Sequence, residues 1–348
     1  MLNPPAPSTG SRRFFPSAAA AAGLAVLLAC ACSPPAGPTV AGLLPSRDLS
    51  PPQVLDAGPS GERSFGLRFD EEVRAVEGSF ALEPAGISLS AASRGAWLDI
   101  AFSSAQVPGA DYAVAGEVAD AAGNHSRFLF RFVGWNSRPP TLRLSELQTA
   151  KNSSTLHPHR DYIELEVVNG GDMGGVTLEW ASSIKAYSYR FPSVEVRKGE
   201  RLVLHLAPES LSEEKDETGA DTAASGGVDA TPEGRDFWSL AGGLPDESGV
   251  VALRWRPGGE VADGLFYAAE SKSGPLPNDK LAAAFRGLVD AGLWTCAGAS
   301  CAWEDAFRWK PSVSRSINRS VLWPNGPSGW YLSESSGQSP GAANPPPP

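Results

Sequence analysis

Short segments in which apolar and polar residues alternate constrain the fold of this 348-residue chain more than any other feature. Alternation places the apolar side chains on one face of a strand, because successive side chains of a strand point to opposite faces. Before residue 137 it occurs around Leu67, Ile100, Val114 and Phe130. The chain has 37 glycines and 31 prolines, well above average usage, which favours many turns between short strands. We therefore predict an all-β protein.

Residues 51–136 and 141–344 are predicted to form two domains. The residues between them, 137–140, end in two prolines, which cannot enter a strand ladder and hold the backbone extended. The number of short strands predicted in the first block is typical of a β-sandwich. That block resembles bacterial immunoglobulin-like domains in its strand at 64–69 and its turn at 120–124. The resemblance implies an immunoglobulin-like β-sandwich.

The second block carries a series of motifs in a characteristic order. A strand Tyr-Ile-Glu-Leu at 162–165 is followed by an aromatic strand that ends in Phe191-Pro192. A Gly-turn hairpin at 250–267, a Ser-x-x-Arg strand within 314–319 and a closing segment at 338–344 come later. This order resembles the lamin-tail domain, itself an immunoglobulin-like sandwich. We therefore expect two immunoglobulin-like β-sandwiches in tandem.

An acidic segment at 209–236 departs from the lamin-tail pattern. It holds nine acidic residues against Lys215 and Arg235, and low hydrophobicity with such charge is typical of disorder. We predict a disordered loop here. The alternative of a calcium loop needs ligands at fixed spacing, which the run 216–221 does not supply.

A short amphipathic helix is predicted shortly after the hairpin. Leu281, Phe285 and Leu288 fall on one helical face, Asn278 is the predicted N-cap, and Gly292 suits the end. Four aromatic residues follow it: Trp294, Trp303, Phe307 and Trp309. The main interpretation is that they pack beneath the helix, and the alternative is an exposed binding patch formed by the three tryptophans.

The N-terminus is typical of a secretion signal. The basic pair 12–13 precedes the apolar run 18–32, which is short for a membrane-spanning helix. Residues 27–30 resemble the lipobox of bacterial lipoproteins, which implies that Cys30 receives lipid and becomes the mature N-terminus. Cys32 is a second candidate, although Ala29 stands three residues before it, where the pattern prefers leucine.

The N-terminal region also predicts an export route and a tether. Residues 11–15 also resemble a twin-arginine signal, although Pro16 follows at once. We expect a signal peptide at 1–30 and a proline-rich tether at 31–50, because proline-dense segments favour extended conformations. A short proline tail occupies 345–348.

Cys296 and Cys301 are predicted to form a disulfide. Two cysteines this close, joined by small residues in an oxidising envelope, favour a short closed loop. Zinc would need two further ligands, and the four histidines do not cluster near these cysteines in sequence.

Several function classes are disfavoured. A net charge of −10 opposes nucleic-acid binding, which needs an excess of basic residues. The sequence lacks the nucleophile elbow, the zinc-protease motif, the phosphate-binding loop and the dinucleotide fingerprint. His157-Pro158-His159 before Asp161 is the nearest approach to a metal pair, and Glu164 and Glu166 share a strand face. No cofactor and no catalytic centre are predicted.

We therefore expect a non-catalytic, lipid-anchored binding or structural protein of the bacterial cell envelope, with a mild preference for the outer membrane. Its partners are the membrane, through the lipid, and a protein or glycan. One alternative is an accessory role in extracellular nucleic-acid or phosphoester processing. The resemblance implies it, because bacterial lamin-tail domains often accompany nuclease or phosphatase domains. The other is a surface adhesin that acts through the tryptophan patch.

Overall fold

The structure is a computed structural model that describes residues 48–150, 160–206, 208–322 and 324–348. Cys30 and Cys32, with the predicted signal peptide and nearly all of the tether, lie outside the described residues, as do His157 and His159. Among the described residues, no helix is long and apolar enough to cross a membrane.

The first sandwich has two antiparallel sheets. Its strands are β1 (Val54–Gly61), β2 (Ser64–Phe69), β3 (Arg74–Ala75), β4 (Ala81–Glu83), β5 (Leu89–Arg94), β6 (Trp97–Phe102), β7 (Asp111–Ala119) and β8 (His125–Val133). One sheet has the order β1-β2-β6-β5, and in the other β7 pairs with β3, β4 and β8. The alternating residues predicted from the sequence, such as Leu67, Ile100 and Val114, are fully buried between the sheets.

The second sandwich is larger. Its elements are β9 (Thr141–Gln148), β10 (Tyr162–Asn169), β11 (Gly171–Asp172), β12 (Thr177–Ala181), β13 (Ala186–Arg190), β14 (Glu195–Val196), β15 (Arg201–Leu206), β16 (Arg235–Ser239), β17 (Ser248–Arg254), β18 (Val261–Ala269), α1 (Lys280–Asp290), β19 (Phe307–Trp309), β20 (Ile317–Arg319) and β21 (Trp330–Leu332).

Two sheets enclose the core of this second sandwich. A six-stranded sheet has the order β16-β15-β10-β9-β20-β21, and a five-stranded sheet has the order β13-β12-β17-β18-β19. The pairs β15–β16 and β18–β19 are parallel, and the other pairs in these two sheets are antiparallel. Separate hydrophobic clusters fill the two sandwiches. The predicted all-β class, with two sandwiches in tandem, is confirmed.

Helix α1 packs on the five-stranded sheet through the predicted apolar face. Leu281, Phe285 and Leu288 are fully buried. The predicted N-cap is wrong by one residue: Asp279 caps the helix, since its Oδ1 accepts a 3.0 Å hydrogen bond from the Ala282 backbone N–H. Asparagine and aspartate are equally good caps, so the sequence alone did not separate two adjacent candidates.

The prediction of a disordered acidic loop at 209–236 is wrong at Glu217 and at residues 235–236. Glu217 is only 2% exposed, and its carboxylate accepts hydrogen bonds from the backbone N–H groups of Ser225 (2.9 Å) and Asp236 (2.8 Å). Arg235 and Asp236 already belong to β16, which pairs with β15. Composition predicts solvation of a charged segment, but here backbone N–H donors satisfy the buried carboxylate and order the chain.

The segment 137–140 is the connection between the sandwiches, which meet through direct backbone contact. Gly109 has φ +75°, and a Cβ added there would lie 2.3 Å from the backbone nitrogen of Gly175. Beside this contact, Arg190 makes a bidentate ion pair with Asp111, with distances of 2.9 and 2.7 Å. The two sandwiches therefore contact each other directly beside the segment that connects them.

Candidate functional site

The disulfide between Cys296 and Cys301 is confirmed, with 5.0 Å between the two Cα atoms. Asp305 closes the same loop from inside, because its two carboxylate oxygens accept 2.8 Å hydrogen bonds from the backbone N–H groups of Ala297 and Ala302. Both sulfur atoms are used in the covalent bond. These two cysteines are therefore not zinc ligands.

The three tryptophans proposed as a binding patch are buried, so that alternative is wrong and the packing interpretation holds. Trp294, Trp303 and Trp309 are 2%, 9% and 2% exposed. The ring of Trp294 contacts the ring of Phe285 on α1 and that of Phe266 on β18. These three side chains therefore complete the core beneath the helix and do not form an exposed patch.

Two carboxylates face each other on the outer side of the six-stranded sheet. Glu164 on β10 lies directly opposite Glu146 on β9, and both are fully buried. Glu166, which shares a strand face with Glu164, is only half-buried and lies opposite Arg143 in the strand register. Alternation in the sequence does not identify Glu146, because β9 contains a bulge between positions 144 and 146 that breaks the pattern of the strand.

The environment of this pair raises the pKa of both carboxylates. Burial, together with the nearby charge of Glu146, raises the pKa of Glu164 to about 7. Arg201 opposes this shift, since its Nη1 lies 2.5 Å from Glu164 Oε1. Burial raises the pKa of Glu146 as well. The phenol of Tyr162, buried beside both acids, also has its pKa raised, first by burial and then by their charges.

The C-terminal segment lies over the two carboxylates and uses their acceptor atoms. The backbone N–H of Gly341 donates a 2.8 Å hydrogen bond to Glu164 Oε2. The Ser339 hydroxyl donates to Glu146 Oε2 at 2.9 Å, and its backbone N–H contacts the same carboxylate. The Asn344 amide donates to the Ser145 carbonyl at 2.9 Å. In this arrangement the acids hold a chain segment in place.

A buried histidine lies farther along the same face. His205 Nε2 is 2.8 Å from Asp236 Oδ1, and its ring stacks on Trp238 with 4.2 Å between the ring centres. His205 and Asp236 are both enclosed, and Asp236 Oδ2 also accepts from the Thr231 backbone N–H. This dyad therefore links β15, β16 and the acidic segment.

An ion pair joins the two sheets of the second sandwich. Arg319 on β20 lies 3.2 Å from Asp263 on β18, and both are buried. The second oxygen of Asp263 accepts a hydrogen bond from the Leu144 backbone N–H on β9 at 2.9 Å. The guanidinium of Arg319 also lies over the ring of Trp330, 4.6 Å from its centre. Both residues fall within the hairpin and Ser-x-x-Arg motifs described above.

Three carboxylates come together near the start of the first sandwich. Asp48, Glu71 and Asp120 each offer a carboxylate oxygen within 4.8 Å of the others. The carboxylate of Asp120 already accepts hydrogen bonds from the backbone N–H and the side-chain amide of Asn124, at 2.8 and 2.7 Å. The pKa of Glu71 is raised by burial and by its acidic neighbours.

These features define a two-sandwich protein in which buried hydrogen bonds and ion pairs connect the elements of the second sandwich. The chain belongs to the family TP_1001_2nd, described as "protein second domain", whose model matches residues 140–335. This range contains the two buried acids, the disulfide and the Asp263–Arg319 pair. The family therefore coincides with the second sandwich.

The chain is also similar to an uncharacterized protein of Treponema pallidum (strain Nichols), with 29% identity over 187 residues. That alignment covers 51% of this chain and 46% of the relative, so the chain spans about half the length of the relative it matches. A crystal structure of a DUF4876 family protein from Bacteroides thetaiotaomicron aligns over 56% of this chain and 76% of its own, with 10% identity and a TM-score of 0.25.

Proposed function

We propose that the protein is a non-catalytic, lipid-anchored module of the bacterial cell envelope, in which the first sandwich presents the second at a fixed orientation. The observation that carries this proposal is the interface between the sandwiches, where a Cβ added to Gly109 would lie 2.3 Å from the backbone nitrogen of Gly175. A flexible pair of domains would not need backbone-to-backbone contact. A rigid pair on a tether is suited to holding a binding surface away from a membrane.

The buried acids support a structural role for the outer face of the six-stranded sheet. Glu146 and Glu164 have the paired arrangement that acid–base chemistry uses, but their oxygens accept hydrogen bonds from Ser339 and Gly341. The Asp263–Arg319 pair and the closing segment also support the lamin-tail resemblance, which we retain as part of the proposal. Attachment to the membrane would come from lipid on Cys30.

Cell fractionation and protease treatment of intact cells test this proposal. We expect the wild-type protein to sediment with membranes and Cys30→Ser to be released, because two or more acyl chains give stable anchoring. Cys32→Ser is the matched control and should stay attached. If only Cys32→Ser is released, Cys32 is the lipidated residue. If both variants stay attached, the protein has no lipid anchor. Cleavage in intact cells would place the protein on the surface, and protection would place it in the periplasm.

A further inference from the structure

A cleft of about 400 Å³ lies where the two sandwiches meet. The end of the first sandwich contributes Trp135 and the β17–β18 turn of the second contributes Trp255, and both residues are partly exposed. Pro59, Pro139 and Pro257 complete much of the wall. The cleft therefore has rigid, aromatic and largely apolar sides, and neither sandwich forms it alone.

The shape of this cleft is set by the contacts that fix the junction. Gly174 and Gly175 line it, and a Cβ added to Gly174 would lie 2.4 Å from the Pro108 carbonyl oxygen. The Asn136 amide, also in the lining, donates hydrogen bonds to the carbonyls of Asp172 (2.7 Å) and Gly174 (2.8 Å). Ligand sites are largely preformed and occur preferentially at domain interfaces. This cleft meets both conditions, and its volume lies within their usual range.

One charged side chain borders the cleft. Arg256 is exposed, and no ion pair or hydrogen bond of its guanidinium occurs within the described part of the chain. The side-chain amide of Asn136, also in the lining, already has its nitrogen and oxygen hydrogen-bonded to the backbone. A guanidinium pairs with a carboxylate through two parallel hydrogen bonds. The lining therefore offers apolar aromatic surface together with one free site for an anion.

We propose that this cleft binds an acidic sugar, namely a pyranose ring that bears a carboxylate. The face of an indole ring carries negative charge density and attracts the weakly positive C–H groups of a sugar ring. Trp135 and Trp255 supply these faces, and Arg256 pairs with the carboxylate. A neutral apolar ligand would leave the guanidinium unused. The proposal deepens the binding role proposed above and rests on it, but it does not depend on the lipid anchor.

Saturation-transfer NMR on the full chain, purified in detergent, tests the proposal. The probes are glucuronic acid, N-acetylmuramic acid and the neutral sugar N-acetylglucosamine. We expect transfer to the ring protons of at least one acidic sugar. Arg256→Gln should weaken its binding by about tenfold, because it removes a hydrogen-bonded charge pair, and should leave the neutral sugar unaffected. Arg94→Gln, an exposed arginine of the first sandwich, is the control and should bind like the wild type.

Trp135→Ala and Trp255→Ala should each abolish the transfer, while Trp97→Ala, which removes a 45% exposed tryptophan outside the cleft, should not. Because Arg256 is exposed, its variant keeps the test decisive even where a tryptophan variant unfolds. Absence of transfer to both acidic sugars, or unchanged binding in Arg256→Gln, overturns the proposal. Preference for glucuronic acid indicates a polysaccharide ligand, and preference for N-acetylmuramic acid indicates peptidoglycan. If the protein binds an acidic sugar but does not sediment with membranes, the lipid anchor is contradicted and the sugar site is not.

Discussion

The backbone N–H of Gly341 donates a 2.8 Å hydrogen bond to the carboxylate of Glu164, 177 residues earlier in the chain. Glu164 also pairs with Arg201, so one buried acid joins the C-terminal segment to β10 and β15. A buried donor whose acceptor is removed keeps the cost of its desolvation. The stability of the second sandwich should therefore depend on this acid.

At pH 5, Glu164→Ala should lower the free energy of unfolding by about 3 kcal/mol, because it removes the acceptor that Arg201 and the Gly341 backbone N–H share. Urea denaturation followed by circular dichroism measures the change. Glu166→Ala, on the same strand but half-buried, is the matched control and should cost about 1 kcal/mol or less. Equal losses in the two variants would show that the buried acid has no special role.

Stability should fall as the pH rises from about 4.5 to about 7. The pKa of Glu164 is about 7 in the folded protein, against an ordinary value of 4.5, so the folded state binds more protons in this window. Below pH 4.5 the protonated acid makes its whole contribution to the free energy of unfolding, about 3 kcal/mol. This contribution is lost by about pH 7.

The comparison of Glu164→Gln with wild type isolates this titration. Denaturation midpoints at a series of pH values should show a shallower fall for Glu164→Gln, because glutamine does not ionise. Glu166→Gln should keep the wild-type slope. A wild-type stability that rises with pH across this window would contradict a raised pKa of Glu164.

The sequence predicted the elements that repeat a simple pattern and missed those defined by distant contacts. Leu67, Ile100 and Leu165 alternate with polar residues, and each lies in the strand predicted for it. β9 was missed because of its bulge, and β16 was missed because it begins at Arg235, inside the acidic segment.

The same limit applies to the sites. The spacing of Cys296 and Cys301 is local, and their disulfide could be predicted. The pairing of Glu146 with Glu164 depends on strand register, which alternation on one strand does not determine. The cleft beside Trp135 and Trp255 depends on how two domains meet, and no local pattern encodes that relationship.

Substitutions at the start of α1 test whether Asp279, and not Asn278, is the N-cap. Asp279→Ala should destabilise the protein by about 1 kcal/mol, because it removes the acceptor for the Ala282 backbone N–H. Asn278→Ala should have little effect, since Asn278 is exposed and Asp279 is the capping residue. Thermal denaturation of the two variants compares them directly. A larger loss for Asn278→Ala would restore the capping residue predicted from the sequence.

Loss of the disulfide should cost about 2 kcal/mol, since a short loop removes little chain entropy from the unfolded state. The double variant Cys296→Ser/Cys301→Ser should therefore still fold, with a lower melting temperature. A reductant should lower the melting temperature of the wild type toward that of the variant and leave the variant unchanged. A variant as stable as the oxidised wild type would show that Asp305 alone holds the loop.

The junction can be tested with two glycines that share the same backbone strain. Gly109 has φ +75° and touches Gly175, whereas Gly123 has φ +88° and has nothing within 4 Å of an added Cβ. Alanine at either position adds the strain of a positive φ, but only Gly109→Ala also forces the sandwiches apart. We expect Gly109→Ala to increase the radius of gyration in small-angle X-ray scattering and to expose 137–140 to proteases, while Gly123→Ala keeps the wild-type profile. If the two variants behave alike, the backbone contact does not fix the orientation of the second sandwich, and the rigid presentation proposed for this protein is wrong.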